Sequence, residues 1–258
     1  VLVEALQPAS AGAWDRYVDG HPDGTFFHLA AWREVLADGV GFATHFLLAR
    51  RAGLVVGVLP LARVRSWLFG DALVSLPFCV LGGLLADDAD AAAALLASAC
   101  ALVRELGVDY LELRHARPQT NGWPAGDAQW ALFRRPLAAS AEDNLQAIPR
   151  KQRAVVRKAL ASALRPTQDG DLGQFLPLYA TSVRNLGTPV FPARYFAALW
   201  RAPPRRRAGR RCWDTGTRCS RCRPVTGWAG TTGVSQQFRP IAWTFRSMCA
   251  ARTMHGKP

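Results

Sequence analysis

Leucine disappears from this sequence after residue 199 and glutamate after residue 142. Of 258 residues, the first 200 hold 31 leucines and the last 58 hold none. At the earlier frequency roughly nine would fall there, so chance is a poor explanation. Acids are scarce elsewhere too, with none between Asp143 and Asp169. Long apolar runs are also missing. The longest, Ala72 to Ala86, is broken by Pro77, Gly82 and Gly83, which argues against a membrane-spanning helix. The N-terminus has no basic n-region and no apolar h-region, so no secretory signal is expected and the cytoplasm is the expected compartment. The opening Val1, in place of Met, leads to the expectation that a few residues precede it.

Several chemical signatures are absent as well. There is no GxSxG, no HExxH and no Walker sequence. The coenzyme A pyrophosphate loop of N-acetyltransferases is not intact. Arg50-x-x-Gly53-x-Val55 fails at its last position and falls in a hairpin turn, not before a helix. Cysteine is sparse: Cys79 and Cys100 sit in apolar surroundings and read as reduced core residues. Cys219 and Cys222 form a CxxC pair that Cys212 and Cys249 or His255 would extend, but the second knuckle of a zinc site is missing and no metal is assigned.

What is present divides at residue 200. Half of the residues are hydrophobic, enough for one large domain or two small ones. Residues 1–200 carry 19 Lys and Arg against 18 Asp and Glu, whereas residues 201–258 carry 13 against the single acid Asp214. The formal net charge of +13 therefore belongs to the tail.

Helical spacing predicts a short helix over Ser10–Val18 with Trp14 and Val18 inward, and a second from Phe26 to Leu36 with Leu29, Trp32, Val35 and Leu36 on one face. His28 at its start reads as a structural hydrogen-bonder beside Trp32. Residues 44–49 and 54–62 predict a hairpin turning at Gly53. A strand over 73–80 follows, then an alanine-rich helix from the aspartates at 87, 88 and 90 to Leu106, stopped by Gly107. Strands are expected over 109–114 and 129–137. Leu172–Leu186 and a segment from Arg194 to Trp200 read as helices. The order is a mixed α/β (α+β) pattern with an antiparallel start.

The most distinctive stretch is 140–165. Ser140 and Asp143 suggest a helix start, and Pro149 begins a second helical segment. There Arg150, Arg153 and Arg157 share one face, flanked by Lys151 and Lys158. Ile148, Val155, Val156, Ala159 and Leu160 form the apolar face opposite. A cationic helix face suits a phosphate-bearing partner, because Arg binds phosphate oxygens in pairs. A solvated surface helix is the alternative.

Three stretches carry a resemblance. They are Thr25-Phe-Phe-His28 with Trp32; Val58-Leu-Pro-Leu61 with Leu76-Pro-Phe78 and Gly82-Gly83; and Ile148–Lys158 with Ser182–Phe196. Together they resemble the FemAB-related proteins associated with the PEP-CTERM/exosortase system, on the Fem aminoacyltransferase side of the GNAT superfamily. The resemblance covers about residues 1–200. It implies two GNAT-like acyltransferase domains in tandem. Here residues 1–165 would be one complete N-terminal domain, 166–200 the start of a second, and 201–258 an irregular tail.

The resemblance also implies transfer of an acyl or aminoacyl group to an amine in cell-envelope or exopolysaccharide biogenesis. Arg153, Arg157 and Lys158 match the family's R-x-x-x-R-K signature, and Arg184 and Tyr195 match the motif opening the second domain. These, with Arg150, are the candidate substrate- and phosphate-binding residues; no catalytic residue is assigned. The donor would be aminoacyl-tRNA or an acyl-CoA, with a nucleotide-linked precursor or tRNA as the phosphate-bearing partner.

A full member continues well past Trp200, and none of its later strands is recognisable in residues 201–258. That tail reads in three ways: a basic RNA-binding segment, a small zinc module, or an out-of-frame product of a GC-rich gene. Its three Trp and four Cys favour the last over a disordered tail, and the chain is then expected to be truncated and inactive. An RNA-binding protein and a non-catalytic scaffold are the rival functions.

Overall fold

The computed structural model describes residues 1–68, 70–115, 123, 136–162 and 172–202. The predicted strand over 129–137 and the metal and RNA-binding readings of the tail lie almost wholly outside these residues.

The elements follow in the order β1 (Leu2–Ala5), α1 (Ala11–Gly20), α2 (Trp32–Val40), β2 (Ala43–Thr44), β3 (Leu47–Arg51), β4 (Leu54–Leu59), β5 (Ala62–Ser66), β6 (Gly70–Val74), β7 (Leu85–Ala86), α3 (Ala89–Leu106) and β8 (Tyr110–Glu112). Then come α4 (Ala141–Gln146), α5 (Arg150–Leu160), α6 (Leu172–Asn185) and α7 (Ala193–Arg201). Two compact units result. Residues 1–127 and 189–210 contribute to the first, so α7 belongs there; α4, α5 and α6 fall in the second. The sequence grouped α6 with α7 after residue 165.

In the first unit one sheet runs β1-β3-β4-β7 and the other β2-β5-β6-β8. Among the described residues all pairings are antiparallel except β6 with β8. Both sheets come from one long ribbon. The β3–β4 ladder ends at Leu47 opposite Leu59, and β2–β5 resumes at Thr44 opposite Ala62. Between them lies Pro60, which has no amide to give a ladder. The sequence-predicted strands 44–49 and 54–62 are each divided at this level. Only the His45 N–H to Leu61 carbonyl bond, 2.7 Å, spans the gap.

The central strands are covered on both faces. Leu48 and Val58 pack with Trp14, Val18, Val35 and Leu36 of α1 and α2. Leu47, Ala49 and Leu59 pack instead with Leu95, Ala99 and Val103 of α3. Successive strand residues point to opposite faces, so two cores explain the near-continuous apolar runs of β3 and β4.

Helix α1 places Trp14 and Val18 inward as its spacing predicts, and the Trp14 indole donates to the His28 carbonyl at 2.7 Å. The helix predicted over 26–36 is two pieces: a 3-10 turn over Phe26–His28, then α2. Leu29 between them is extended, at φ −65° and ψ 145°. Helix α7 packs on α2 in the same unit, where a Cβ on Gly39 would lie 3.0 Å from the Tyr195 Cα.

Helix α3 begins as the aspartates predict. The Asp88 carboxylate accepts the Ala91 N–H at 2.9 Å and pairs with both terminal nitrogens of Arg51. Arg51 first, and then the Ala91 amide, pull the Asp88 pKa from 3.8 to about 2. A carboxyl with a depressed folded pKa contributes stability above its unfolded pKa and loses it as pH falls through the folded one. Asp88→Asn keeps a capping side chain but loses the charge. The gap in melting temperature between the two proteins should therefore be constant above pH 3.8 and close by about pH 2. Thermal melts at stepped pH read this, and a gap that persists at the acid end would refute it.

Candidate functional site

The three stretches singled out in the sequence meet, in part, at one place. Strands β6 and β8 are parallel, and beyond their carboxyl ends the chain crosses from Ser75 to Leu84 before β7. Ligands in parallel sheets collect at such ends. In this loop Leu76 and Phe78 take left-handed backbone conformations, at φ 52° and 67°. For large side chains that is uncommon and must be held by neighbours, and it clusters at functional sites.

Those neighbours are identifiable. The Ser75 N–H donates to the Glu112 carbonyl at 2.8 Å, and the buried Ser75 hydroxyl accepts the Arg114 N–H at 2.8 Å. At the far end of the loop the Gly82 and Gly83 amides both donate to the Arg114 carbonyl, at 3.2 and 2.9 Å. The Arg114 guanidinium bonds the Glu112 carboxylate at 2.6 Å and the Cys79 carbonyl at 2.8 Å. Both glycines are required by close approach. A Cβ on Gly82 would lie 2.6 Å from the Leu76 side chain, and one on Gly83 2.7 Å from the His115 ring.

His28, of the Thr25–His28 stretch, reaches the same loop. Its Nδ1 accepts the Thr25 N–H at 3.2 Å, so Nε2 carries the proton and donates to the Gly83 carbonyl at 3.1 Å. Trp32 donates to the Phe26 carbonyl at 3.1 Å and lies edge-on to the Phe26 ring. These are contacts that hold a wall in place.

From the other side come residues far along the chain. Phe78 stacks on Phe42 at 5.7 Å and lies edge-on to Phe191 at 4.9 Å, and Phe191 stacks on Tyr195 at 4.7 Å. Tyr195 is therefore a buried packing residue between α7 and α2.

Burial tunes the ionisable groups here. The Cys79 thiol is pushed up to about 12 by burial, partly offset by the Arg114 charge, so it is no thiolate nucleophile at neutral pH. Burial lowers the pKa of His115, which favours its neutral form. Among the described residues no group of three or more His, Cys, Asp or Glu side chains could hold a metal.

The cationic residues lie in the second unit. Helix α5 starts after Pro149, with Arg150, Lys151, Arg157 and Lys158 exposed. Arg153 is engaged: its guanidinium donates to the Gln146 and Ile148 carbonyls, at 2.8 and 3.0 Å, where α4 ends. This gives Arg153 a structural role that its place in the basic run did not suggest, although cations near a helix C-terminus commonly act so. The apolar face expected of α5 is not buried; Val155 is 67% exposed. Arg184 is exposed near the end of α6. Sequence reasoning missed Arg114, Glu112 and Ser75. The only hint was an alternating strand ending at Arg114.

The Arg114–Glu112 pair is largely shielded, with side chains 17% and 12% exposed. Removing one partner of such a pair leaves a stranded charge and costs about 3 kcal/mol. Arg114→Met should lower stability by that order in urea titrations, and adding Glu112→Gln should recover at least about 1 kcal/mol. Simple additivity of the two costs would show that the pair does not hold the loop.

No protein-family model matches the sequence, and no curated protein does. Among solved structures the chain is similar to the crystal structure of FemX, with a TM-score of 0.54 and 18% identity. The match covers 78% of this chain and 55% of FemX. A ribosomal-protein-alanine N-acetyltransferase from Brucella melitensis biovar Abortus 2308 gives a TM-score of 0.35 and 15% identity, covering 53% of this chain and all of that one. That second score is too low to build on. The chain thus spans just over half the length of FemX, and the likeness is one of fold. The mixed α/β architecture is the one expected from the sequence.

Proposed function

We propose that this protein is an acyl- or aminoacyl-transferase of the FemAB-related kind, acting on an amine acceptor in cell-envelope or exopolysaccharide biogenesis. The observation that carries the reading is the likeness to FemX over 78% of the chain. The meeting of the sequence stretches around the loop after β6 supports it, because a transferase needs a rigid wall beside its reacting groups. The chemistry is attack of a neutral amine nitrogen on an acyl ester carbon. The new C–N bond replaces the ester C–O bond, the alcohol leaves, and the amine proton passes to water or to a substrate phosphate.

The donor in this reading is an aminoacyl-tRNA in preference to an acyl-CoA. A helix N-terminus ordinarily favours a phosphate. That of α3 is capped by Asp88 and flanked by Asp87 and Asp90, which repel one. The exposed cations of α5 suit an RNA backbone instead. The setting is the cytoplasm, with the PEP-CTERM/exosortase system as the associated pathway. Among the described residues no helix is long and apolar enough to cross a membrane. The residues after 200 are an out-of-frame product in this reading, and transfer is then weak or lost in this chain.

A second reading, RNA binding without transfer, is favoured by the 13 Lys and Arg of residues 201–258. One experiment separates them. Charged tRNA binding is measured against salt for the full chain and for Arg150→Ala and Arg157→Ala, alongside transfer of labelled amino acid to amine acceptors. Each substitution should flatten the log–log salt slope by about one if its side chain meets a phosphate. Unchanged slopes would move RNA binding to the tail. Arg153→Ala should differ from both, by lowering stability through its lost bonds to the end of α4.

A further inference from the structure

The hairpin of β5 and β6 ends in a feature unused by the site described above. Ser66 pairs with Gly70, and Trp67 and Leu68 stand in the turn that joins them. Gly70 closes the turn in a left-handed conformation, φ 90°, which favours glycine. The base is pinned. The Asp109 carboxylate accepts the Asp71 N–H at 2.9 Å, and Arg63 pairs with Asp71 through two nitrogens. Within the loop, the Leu68 N–H donates to the Ser66 hydroxyl at 3.3 Å.

Such positions normally hold Gly, Asn, Asp, Ser or Pro. Here two apolar residues, Trp67 and Leu68, stand side by side. Trp67 is 98% exposed, the most exposed large apolar side chain among the described residues, and Leu68 is 69% exposed. Consecutive exposed apolar residues on a tightly held turn work against solubility unless something receives them.

The shape of the tip selects the recipient. A specific protein partner needs about 800 Å² of surface from each side, which the end of a two-stranded ribbon does not present. The interfacial layer of a bilayer needs only a few side chains, and Trp suits it because its ring is apolar while its N–H stays hydrated. Arg65, two residues before Trp67, has its side chain 81% exposed and sits 3.9 Å from Asp71, whose charge Arg63 already takes up. That guanidinium is placed for a headgroup phosphate. With Asp71 and Asp109 beside Arg63 and Arg65, the collar has no net charge. The attraction is therefore to the apolar layer and not to lipid charge.

We propose that the Trp67–Leu68 tip is a membrane-surface anchor that inserts into the interfacial layer of a phospholipid bilayer, with Arg65 at the headgroups. The proposal does not rest on the transferase reading. It is tested by co-sedimentation of the full chain with phosphatidylcholine vesicles in about 0.5 M salt, where the basic tail is screened. Wild type should pellet with the vesicles. Trp67→Ser/Leu68→Ser should lower the bound-to-free ratio by roughly tenfold or more. Trp67→Phe/Leu68→Met should keep most of it. Both variants should unfold at the wild-type urea midpoint, since the replaced side chains are exposed. Trp67→Lys, altering only the outermost side chain, gives a second loss-of-binding variant should the double serine change lower stability. Wild type remaining in the supernatant would overturn the proposal. So would equal pelleting of wild type and the serine and lysine variants, or a vesicle-free dimer that these variants abolish, which would assign the tip to self-association.

Discussion

Arg114 fastens both ends of the loop that follows β6, and the arrangement of the first unit around that loop depends on it. Its amide takes the Ser75 hydroxyl at the start, its carbonyl takes two glycine amides at the end, and its guanidinium supports the middle through the Cys79 carbonyl. Left-handed backbone at Leu76 and Phe78 is unfavourable for a free chain. It persists here because one residue supplies so many fixed partners. His28 on one side and Phe191 on the other then find a rigid surface to meet.

The helices and hairpin that have local causes were legible in the sequence. Asp88 and Gly107 bracket α3, Pro149 marks the start of α5, and the spacing of Trp14 and Val18 identifies the inner face of α1. What depends on distant partners was not. The division of the long ribbon at Pro60 shows only when the Thr44–Ala62 and Leu47–Leu59 registers are compared. The break at Leu29 was hidden because Leu29, Trp32 and Leu36 keep helical spacing across it and are all buried.

The candidate residues divide in the same way. The cationic residues of the second unit were visible as a charge run with helical spacing. The architecture of the loop after β6 was not, because Ser75, Gly83, Arg114 and Phe191 come from separate parts of the chain and carry no local signature of meeting. Arg153 illustrates the limit. Its spacing places it with Arg150 and Arg157, yet the two carbonyls left free where α4 ends lie within its reach and engage it.

The docking of α7 on α2 has a consequence for how the chain comes off the ribosome. Synthesis is vectorial, and α2 is finished at residue 40, whereas α7 begins at residue 193. Until then Gly39 and its neighbours face water, and the first unit is incomplete although nearly all its strands exist. Nascent chains therefore carry an uncovered helix face through the making of more than half of the protein. Domains completed by a late segment in this way are exposed for longest to chaperones and to mispairing. Whatever alters the reading frame shortly before residue 193 would leave the protein not merely shorter but open on that face.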